Sequence, residues 1–421
     1  MTYKVAGIDI HKSMLMVVVA AIAAETEDAA AEALEFDCRR FGAGHAERIH
    51  LVSWLQQRGV TEVVMESTAQ YGKPVWLDLE PHFPKLHLAQ AQSNRAPKGR
   101  KNDFRDAKRL ARRLLAGELI LSYIPDAEQR TWRTLTRGKL QLVQDRVRLQ
   151  NRLEALLEEM RIKLSGVISD LLGVSGRRIL GALSKGETDP ARLAELGDKR
   201  LQCSREELTD ALHGAPSDTQ REVLKLSLEH LRVLDEQILA FDKLTAKALK
   251  SHEAAVVRVA QIPGFGPDSA QQIIAEMGVD AATFPSAGEF SSWVGLCPGE
   301  DVSAEENQSS RSPKGNRFVR RILNEAAQAA VKKKGCHFQS VFRRFLPKLG
   351  YKGAIWAVAH KLGRLVWKIL HDDVSYIEQG SEPTPKAKKR RAQRLAQALR
   401  KLGYSVTLTP ITPDPVPDSG A

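Results

Sequence analysis

Residues 101–107 read Lys-Asn-Asp-Phe-Arg-Asp-Ala, and the fold can be worked out from this stretch outward. Asp103 and Asp106 stand three positions apart and open a predicted helix from Ala107 to Leu115, so their carboxylates face the same side. From Arg95 to Arg113 nine Lys or Arg residues accompany only these two acids. Such a pair suits a divalent cation with oxygen ligands beside a phosphate backbone. For this stretch alone, acids that stabilise a solvated helix start are the simpler alternative.

The residues before this stretch predict strands first and then alternating helices and strands. Apolar and β-branched runs mark the strands, and apolar residues at helical spacing mark the helices. The order is that of a ribonuclease-H-like α/β domain, in which Asp9 ends the first strand and Glu66 ends the fourth. Because these strands are neighbours in that fold, we expect both carboxylates to converge with Asp103 and Asp106. The predicted strands are 3–10, 14–23, 34–41, 61–65 and 85–89, and the helices are 46–58 and 75–79.

Four carboxylates in one place repel one another unless cations lie between them. A cluster of this kind binds Mg²⁺, or Mn²⁺ as a substitute. Two such ions stabilise both the attacking and the leaving oxygen of a phosphoryl transfer. The sequence therefore predicts that Asp9, Glu66, Asp103 and Asp106 are metal ligands and catalytic residues.

Composition narrows the class of partner. The 421 residues are 43% hydrophobic and carry a formal net charge of +12, which favours an anionic polymer such as nucleic acid. The four cysteines are widely separated, which argues against a zinc site and a disulfide framework and favours a reducing cytoplasm. The longest apolar run, 14–24, is too short to cross a bilayer, and the N-terminus does not resemble a signal peptide.

The region 125–255 is predicted to be helical, with two long segments that carry coiled-coil-like seams. Leucines recur every seven residues in the first segment, and a similar seam runs from 220 to 249. The two segments could pair within one chain or between subunits, and a plain helical spacer is an equal alternative. The first seam consists of Leu135, Leu142, Leu149 and Leu156.

Residues 256–375 form a third predicted region, and 376–421 form a basic, partly disordered tail. Residues 262–267, Ile-Pro-Gly-Phe-Gly-Pro, precede a predicted helix and suggest a helix-hairpin-helix unit whose glycines approach a phosphate. From Arg311 to Lys352 twelve Lys or Arg residues face a single acid, Glu325. The predicted nucleic-acid contacts are Arg95, Lys98, Arg100, Lys101, Arg105, Gly264, Gly266, Arg311, Lys314, Asn316, Arg317, Arg320 and Arg321.

Five ordered motifs resemble those of DEDD-type insertion-sequence transposases of the IS110 family, which includes the pilin-gene inverting recombinases. The resemblance covers the chain to about residue 375 and leaves out the tail beyond Ser381. It implies a RuvC-like, ribonuclease-H-like domain at 1–124, a helical assembly region at 125–255 and a mainly helical transposase domain at 256–375. The motifs are GIDIHK around Asp9, VVMEST around Glu66, KNDFRDA around Asp103 and Asp106, IPGFGPDSAQQIIAEMG, and WVGLCPGEDVSA followed by SPKGNRFVRRIL.

The same resemblance implies a serine nucleophile in the third region. The family serine lies five positions after the proline of a Gly-Leu-x-Pro motif, which here is Ser303, and it forms a covalent link to a DNA phosphate. Glu305 and Glu306 follow where a Gly is common in the family, so the fallback candidates are Ser309, Ser310 and Ser312. The resemblance further implies double-stranded DNA at the element ends and target, a noncoding bridge RNA as guide, and a homodimer or homotetramer.

Three functions compete at this point. The first is an RNA-guided DNA recombinase that moves its own mobile element through a Mg²⁺ site and Ser303. The second is a metal-dependent nuclease for Holliday junctions or branched DNA that needs no serine. The third is a nucleic-acid-binding relic of a transposase without catalysis.

Overall fold

The computed structural model describes residues 3–22, 35–67, 70–90, 103–297, 301–303, 306–309, 312, 314–378 and 385–409. The chain divides into two compact units, Met1–Pro125 and Asp126–Ala421. In the described part, no helix is both long enough and apolar enough to cross a membrane.

The first unit is built on a five-stranded mixed sheet in the order β3-β2-β1-β4-β5. β1 pairs antiparallel with β2 and parallel with β4, so the first and fourth strands are neighbours, as the sequence predicted. The elements are β1 Tyr3–Ile10, β2 Met14–Ile22, β3 Glu35–Gly42, α1 His45–Gln57, β4 Glu62–Ser67, α2 Gly72–Leu79, β5 Lys85–Leu88 and α3 Asp103–Leu115.

Each face of this sheet is covered by helices. Strand residues alternate between the two faces, and Ala6, Ile8 and Ile10 of β1 belong to the core beneath α1 and α2. On the opposite face Val5 packs with Ala111 of α3. β1 is buried on both faces, which explains its almost continuous apolar sequence.

Two long helices begin the second unit, α4 (Ala127–Glu159) and α9 (Asp218–Ala248), and they pair within this chain. Arg146 Nε lies 2.9 Å from Asp235 Oδ1, and Lys139 pairs with Asp242. The partner number falls as the α4 number rises, so the pair is antiparallel. The two predicted seams therefore pair with each other within one chain.

The residues between α4 and α9 form four short helices, α5 Leu164–Val167, α6 Val174–Ser184, α7 Pro190–Glu195 and α8 Arg205–Ala211. Their buried residues form one apolar core with the C-terminal part of α4 and the N-terminal part of α9. Leu149, Leu153 and Leu157 enter this core from α4, whereas Leu142 and Leu156 are only partly buried against it.

The remaining elements are helical apart from a hairpin. The helices are α10 Glu253–Ala260, α11 Pro267–Met277, α12 Ala287–Val294, α13 Arg317–Lys332, α14 His337–His371 and α15 Pro385–Lys401, and the hairpin strands are β6 Asp301–Ser303 and β7 Glu306–Ser309. α14 breaks at Gly350, whose φ of 66° only glycine adopts easily. α13 packs between α11 and α14.

Candidate functional site

The first two predicted acids stand side by side in the sheet. Asp9 of β1 and Glu66 of β4 are direct partners in the parallel ladder. Adjacent strands are about 4.8 Å apart, and partners in a ladder present their side chains on the same face. Val5 and Val64, which share that face by alternation, both pack beneath α3. The two carboxylates therefore lie on the α3 side of the sheet.

A glycine brings α3 close to these acids. A Cβ added to Gly7 would lie 2.3 Å from the backbone oxygen of Ala107 and 2.9 Å from the backbone nitrogen of Ala111. No side chain fits there, so β1 and α3 touch backbone to backbone. Gly7 belongs to the same short motif as Asp9, and Ala107 follows Asp106 directly. The motif glycine thus positions the helix that carries the remaining acids.

Glu66 is influenced by the other acids of this face. Partial burial raises the pKa of its carboxyl, nearby Arg109 lowers it, and the charges of Asp9 and Asp106 raise it, with a net increase. Its Oε2 atom is buried and makes no hydrogen bond to a residue that the structure describes. Among the described residues, no cation donates a hydrogen bond to this carboxylate oxygen.

Two neighbours of the acids were not assigned to the site by sequence reasoning. Arg109 Nη1 lies 2.6 Å from Asp106 Oδ1, and His11 Nε2 lies 3.3 Å from Asp9 Oδ2. The spacing of three between Asp106 and Arg109 on a helix could have indicated the first contact. The Arg109 guanidinium reduces the negative charge that the acids present.

The donor set matches a hard divalent cation, because carboxylate oxygens are what Mg²⁺ prefers. Within the described part of the chain, however, no three His, Cys, Asp or Glu side chains are arranged as a ready-made metal site. α3 begins at Asp103, but the Asp103 side chain lies outside the described residues. The unpaired oxygen of Glu66 and the mutual repulsion with Asp9 and Asp106 are what a bound cation would relieve. The residues therefore fit a divalent ion.

The predicted helix-hairpin-helix segment forms α10, a glycine turn and α11. Gly264 has a φ of 92°, and a Cβ there would lie 2.1 Å from the backbone oxygen of Ala326. Its contact is thus with α13, and this packing accounts for the glycine. Gly266 is the N-cap of α11, and its amide donates to Ser269 Oγ at 2.9 Å. Phosphate binding by this turn stays a prediction.

The predicted nucleophile lies on the small hairpin. Ser303 ends β6 and is the ladder partner of Glu306 on β7. Its side chain lies outside the described residues, as do the side chain of Ser309 and all of Ser310, whereas Ser312 is half-buried in the following loop. The choice among these serines stays a prediction.

The predicted basic contacts divide into three groups. Arg95, Lys98, Arg100, Lys101 and Arg311 lie outside the described residues. Arg105, Lys314 and Arg317 have exposed side chains.

The third group is engaged within the protein. Arg320 donates to the carbonyl of Gly295 at 2.5 Å. Arg321 bonds Gln272 at 2.5 Å and Glu325 at 2.8 Å. Asn316 caps α13 by accepting from the amides of Phe318 and Val319. These contacts give the three residues a structural role, and their nucleic-acid contact stays a prediction.

A buried carboxylate connects α4, α11 and the start of α13. Glu276 of α11 is held by Arg137 of α4 through two bonds, Nε to Oε1 at 2.7 Å and Nη2 to Oε2 at 2.9 Å. Asn316 Nδ2, at the start of α13, donates to Glu276 Oε2 at 2.8 Å. Arg133 adds a contact of 3.4 Å. Sequence reasoning missed Glu276 because nothing local distinguishes one acid in an amphipathic helix.

Two family models match the chain. A DEDD transposase model of the IS110 type matches residues 6–162, and a model described as the transposase IS116/IS110/IS902 family matches residues 257–343. Both regions of the chain are similar to transposases of the IS110/IS116 family. The first match carries the ribonuclease-H-like fold, and domains of this type generally depend on divalent metals. These matches agree with the family that the sequence motifs resembled.

Two relatives agree with these matches. An uncharacterised protein of insertion element IS116 from Streptomyces clavuligerus is 27% identical over 260 residues, which are 58% of this chain and 64% of that protein. A putative transposase, y4pF/y4sB, from Sinorhizobium fredii is 24% identical over 337 residues, or 78% of each chain. The chain thus spans slightly less than two thirds of the first relative.

Proposed function

We propose that this chain is a DNA transposase that inserts and excises its own mobile element through metal-dependent phosphoryl transfer. The observation that carries the proposal is the pairing of Asp9 with Glu66 on adjacent parallel strands, beneath the helix that contains Asp106. The similarity to this transposase family supports the same reaction class. A formal net charge of +12 agrees with a nucleic-acid substrate.

Asp9, Glu66, Asp103 and Asp106 would hold the divalent metal, for which Mg²⁺ is proposed. Bound there, the metal would supply Lewis-acid stabilisation of charge on the scissile phosphate. Arg109 fixes the orientation of the Asp106 carboxylate through its ion pair, and His11 lies beside Asp9. The close contact at Gly7 keeps α3 at the distance that this arrangement needs.

Ser303 is the proposed nucleophile, by resemblance to the family. Its Oγ forms a bond to phosphorus while the bond from phosphorus to one deoxyribose oxygen breaks, and the hydroxyl proton passes through solvent to the released sugar oxygen. The link conserves the phosphoester, so reversal onto a second strand needs no external energy source. A noncoding RNA from the element is the proposed guide, and a homodimer or homotetramer is the proposed assembly.

A covalent-trapping assay tests this mechanism. The protein is mixed with Mg²⁺, flanking-region RNA and labelled donor DNA, denatured, and separated on a gel beside Ser303→Ala and Asp9→Asn. The proposal expects a protein–DNA species that both variants lose and that depends on the RNA. Ser309→Ala serves as the matched serine control and should keep the species.

The same assay decides against the alternatives. Cleaved DNA without a covalent species, and unchanged in Ser303→Ala, would show a metal-dependent junction nuclease instead. If the protein binds DNA but cleaves it with neither Mg²⁺ nor Mn²⁺, it is a nucleic-acid-binding relic of a transposase without catalysis.

A further inference from the structure

The second unit contains a cavity of about 470 Å³ that none of the predicted sites includes. It lies between the start of α14, the part of α14 after Gly350, and the segment 374–377 that follows this helix. Its volume is in the range of pockets that bind small organic groups. Phe338 and Ile369 contribute buried apolar surface, and Tyr376 contributes an aromatic ring.

One wall of the cavity is a row of cations. Lys361, Arg364 and Lys368 follow one another at spacings of three and four along α14, so they lie on one face of the helix. All three are exposed, and none forms an ion pair with a residue that the structure describes. The row covers about 10 Å of helix axis, which is more than an isolated phosphate group needs.

The neighbouring acids are engaged with other groups of the protein. Asp373 pairs with Arg258, Asp372 contacts His371, and Glu378 accepts hydrogen bonds from the Tyr376 hydroxyl at 2.8 Å and the amide of His337 at 3.0 Å. The field of Arg364 and Lys361 also reaches His360, where burial and these two charges lower the pKa of the imidazole. The cavity thus combines three cations that have no ion-pair partner among the described residues with apolar and aromatic walls.

We propose that this cavity binds an unpaired nucleotide of a single-stranded nucleic-acid segment, with its base against Tyr376 and the backbone phosphates along Lys361, Arg364 and Lys368. Stacking on aromatic rings beside a cationic row is the general way in which proteins hold single strands. A double helix does not fit, because its bases are stacked inside and cannot enter a cavity of this size. The site is separate from the carboxylates and serine of the proposed reaction, and its occupation requires neither.

Binding of fluorescent single-stranded DNA and RNA oligomers, and of the matching duplex, tests this site on the full-length protein without metal. The altered chain carries Lys361→Gln, Arg364→Gln and Lys368→Gln together. The matched control carries Lys243→Gln, Lys247→Gln and Lys250→Gln, which removes three exposed cations at similar helical spacing elsewhere in the same unit.

Single-strand affinity should depend less on salt in the pocket variant. Each phosphate contact on a single strand contributes about 0.7 to the slope of log K against log salt, so three lost contacts reduce the slope by about 2. If the two proteins bind equally at about 1 M salt, the unaltered chain should therefore bind about 100-fold more tightly than the pocket variant at about 0.1 M. The control should keep the affinity and slope of the unaltered chain, and duplex binding should change in neither. The oligomer whose affinity falls, DNA or RNA, identifies the strand that the cavity takes.

A second readout reports the base itself. An oligomer containing 2-aminopurine should lose fluorescence on binding, because stacking on a ring quenches it. Tyr376→Phe keeps the ring and should keep the quenching, whereas Tyr376→Leu should abolish it and weaken binding about tenfold.

Equal losses in the pocket and control variants, or equal losses for duplex and single strand, would overturn the proposal, as would quenching that survives Tyr376→Leu. Because the assay measures binding without metal, it can fail while the transposase chemistry holds, and the reverse is equally detectable.

Discussion

Arg137 donates two hydrogen bonds to the Glu276 carboxylate, although the two residues are 139 positions apart in the chain. The Glu276 side chain is only 2% exposed, whereas that of Arg137 is 37% exposed. A carboxylate buried to this degree is stable only if its charge is compensated. The pair therefore fixes α11 against α4, and through Asn316 it fixes the start of α13 behind the serine hairpin.

Loss of the Arg137 guanidinium should destabilise the second unit strongly. Arg137→Met leaves the buried Glu276 charge with Arg133 and Asn316 alone, so we expect a loss of about 2–4 kcal/mol in the free energy of unfolding. Urea denaturation followed by circular dichroism measures it. The control is Glu236→Gln, which removes the exposed i,i+4 pair with Arg232 and should cost less than about 0.5 kcal/mol. Similar effects of the two changes would contradict the assigned role.

Gly7→Ala should displace α3, because the new methyl group would collide with the backbone at Ala107. Backbone cannot yield as a side-chain tip does, so the cost should be at the upper end of overpacking effects, about 3 kcal/mol. The melting temperature and the affinity for divalent ions should both decrease. Gly181→Ala, in α6 with open space around it, should instead stabilise by up to about 1 kcal/mol. An unchanged melting temperature for Gly7→Ala would rule out the close contact.

Replacement of single acids tests the metal site without DNA. Asp9→Asn and Glu66→Gln each remove one negative oxygen ligand, so each should weaken Mn²⁺ binding at least about tenfold in a calorimetric titration. Without metal, Asp9→Asn should also reduce the repulsion that raises the pKa of Glu66. Asp37→Asn is the matched control, since Asp37 lies on β3 and pairs with Arg58. Full Mn²⁺ affinity in both site variants would exclude these ligands.

His360 gives a pH signature of the cationic row. Burial, then Arg364 and Lys361, lower the pKa of its imidazole below 6.5, so the folded state binds this proton less tightly than the unfolded state. The stability linked to His360 is complete above pH 6.5 and is lost as the pH falls below that value. His360→Gln should flatten this part of the profile of melting temperature against pH.

The charge contribution can be separated by nuclear magnetic resonance. Arg364→Gln should move the His360 titration back toward 6.5, because one of the two repelling charges is gone. Lys243→Gln should leave it in place. If the pKa of His360 is the same in Arg364→Gln as in the unaltered chain, the charge of Arg364 does not contribute to the shift.

The sequence alone predicted the elements of the first unit and the neighbourhood of Asp9 and Glu66. Local patterns predicted the strands. The pairing of the first and fourth strands followed from the order of the elements, which is that of a ribonuclease-H-like fold in which these two strands are neighbours. The helix behind the serine hairpin was likewise predicted at 318–331 and is observed at Arg317–Lys332. Leucine repeats indicated the seams of α4 and α9, but the repeats do not show which helix each seam packs against.

Tertiary structure alone decided the remaining features. Three contacts depend on how elements that are distant in the chain pack: Gly7 beneath Ala107, Gly264 against Ala326, and the hydrogen bonds from Arg137 to Glu276. The cationic cavity likewise exists only because α14 breaks at Gly350 and the segment after it closes one side. A sequence records the period of each element, whereas the distances between elements follow from close packing of surfaces that are far apart in the chain.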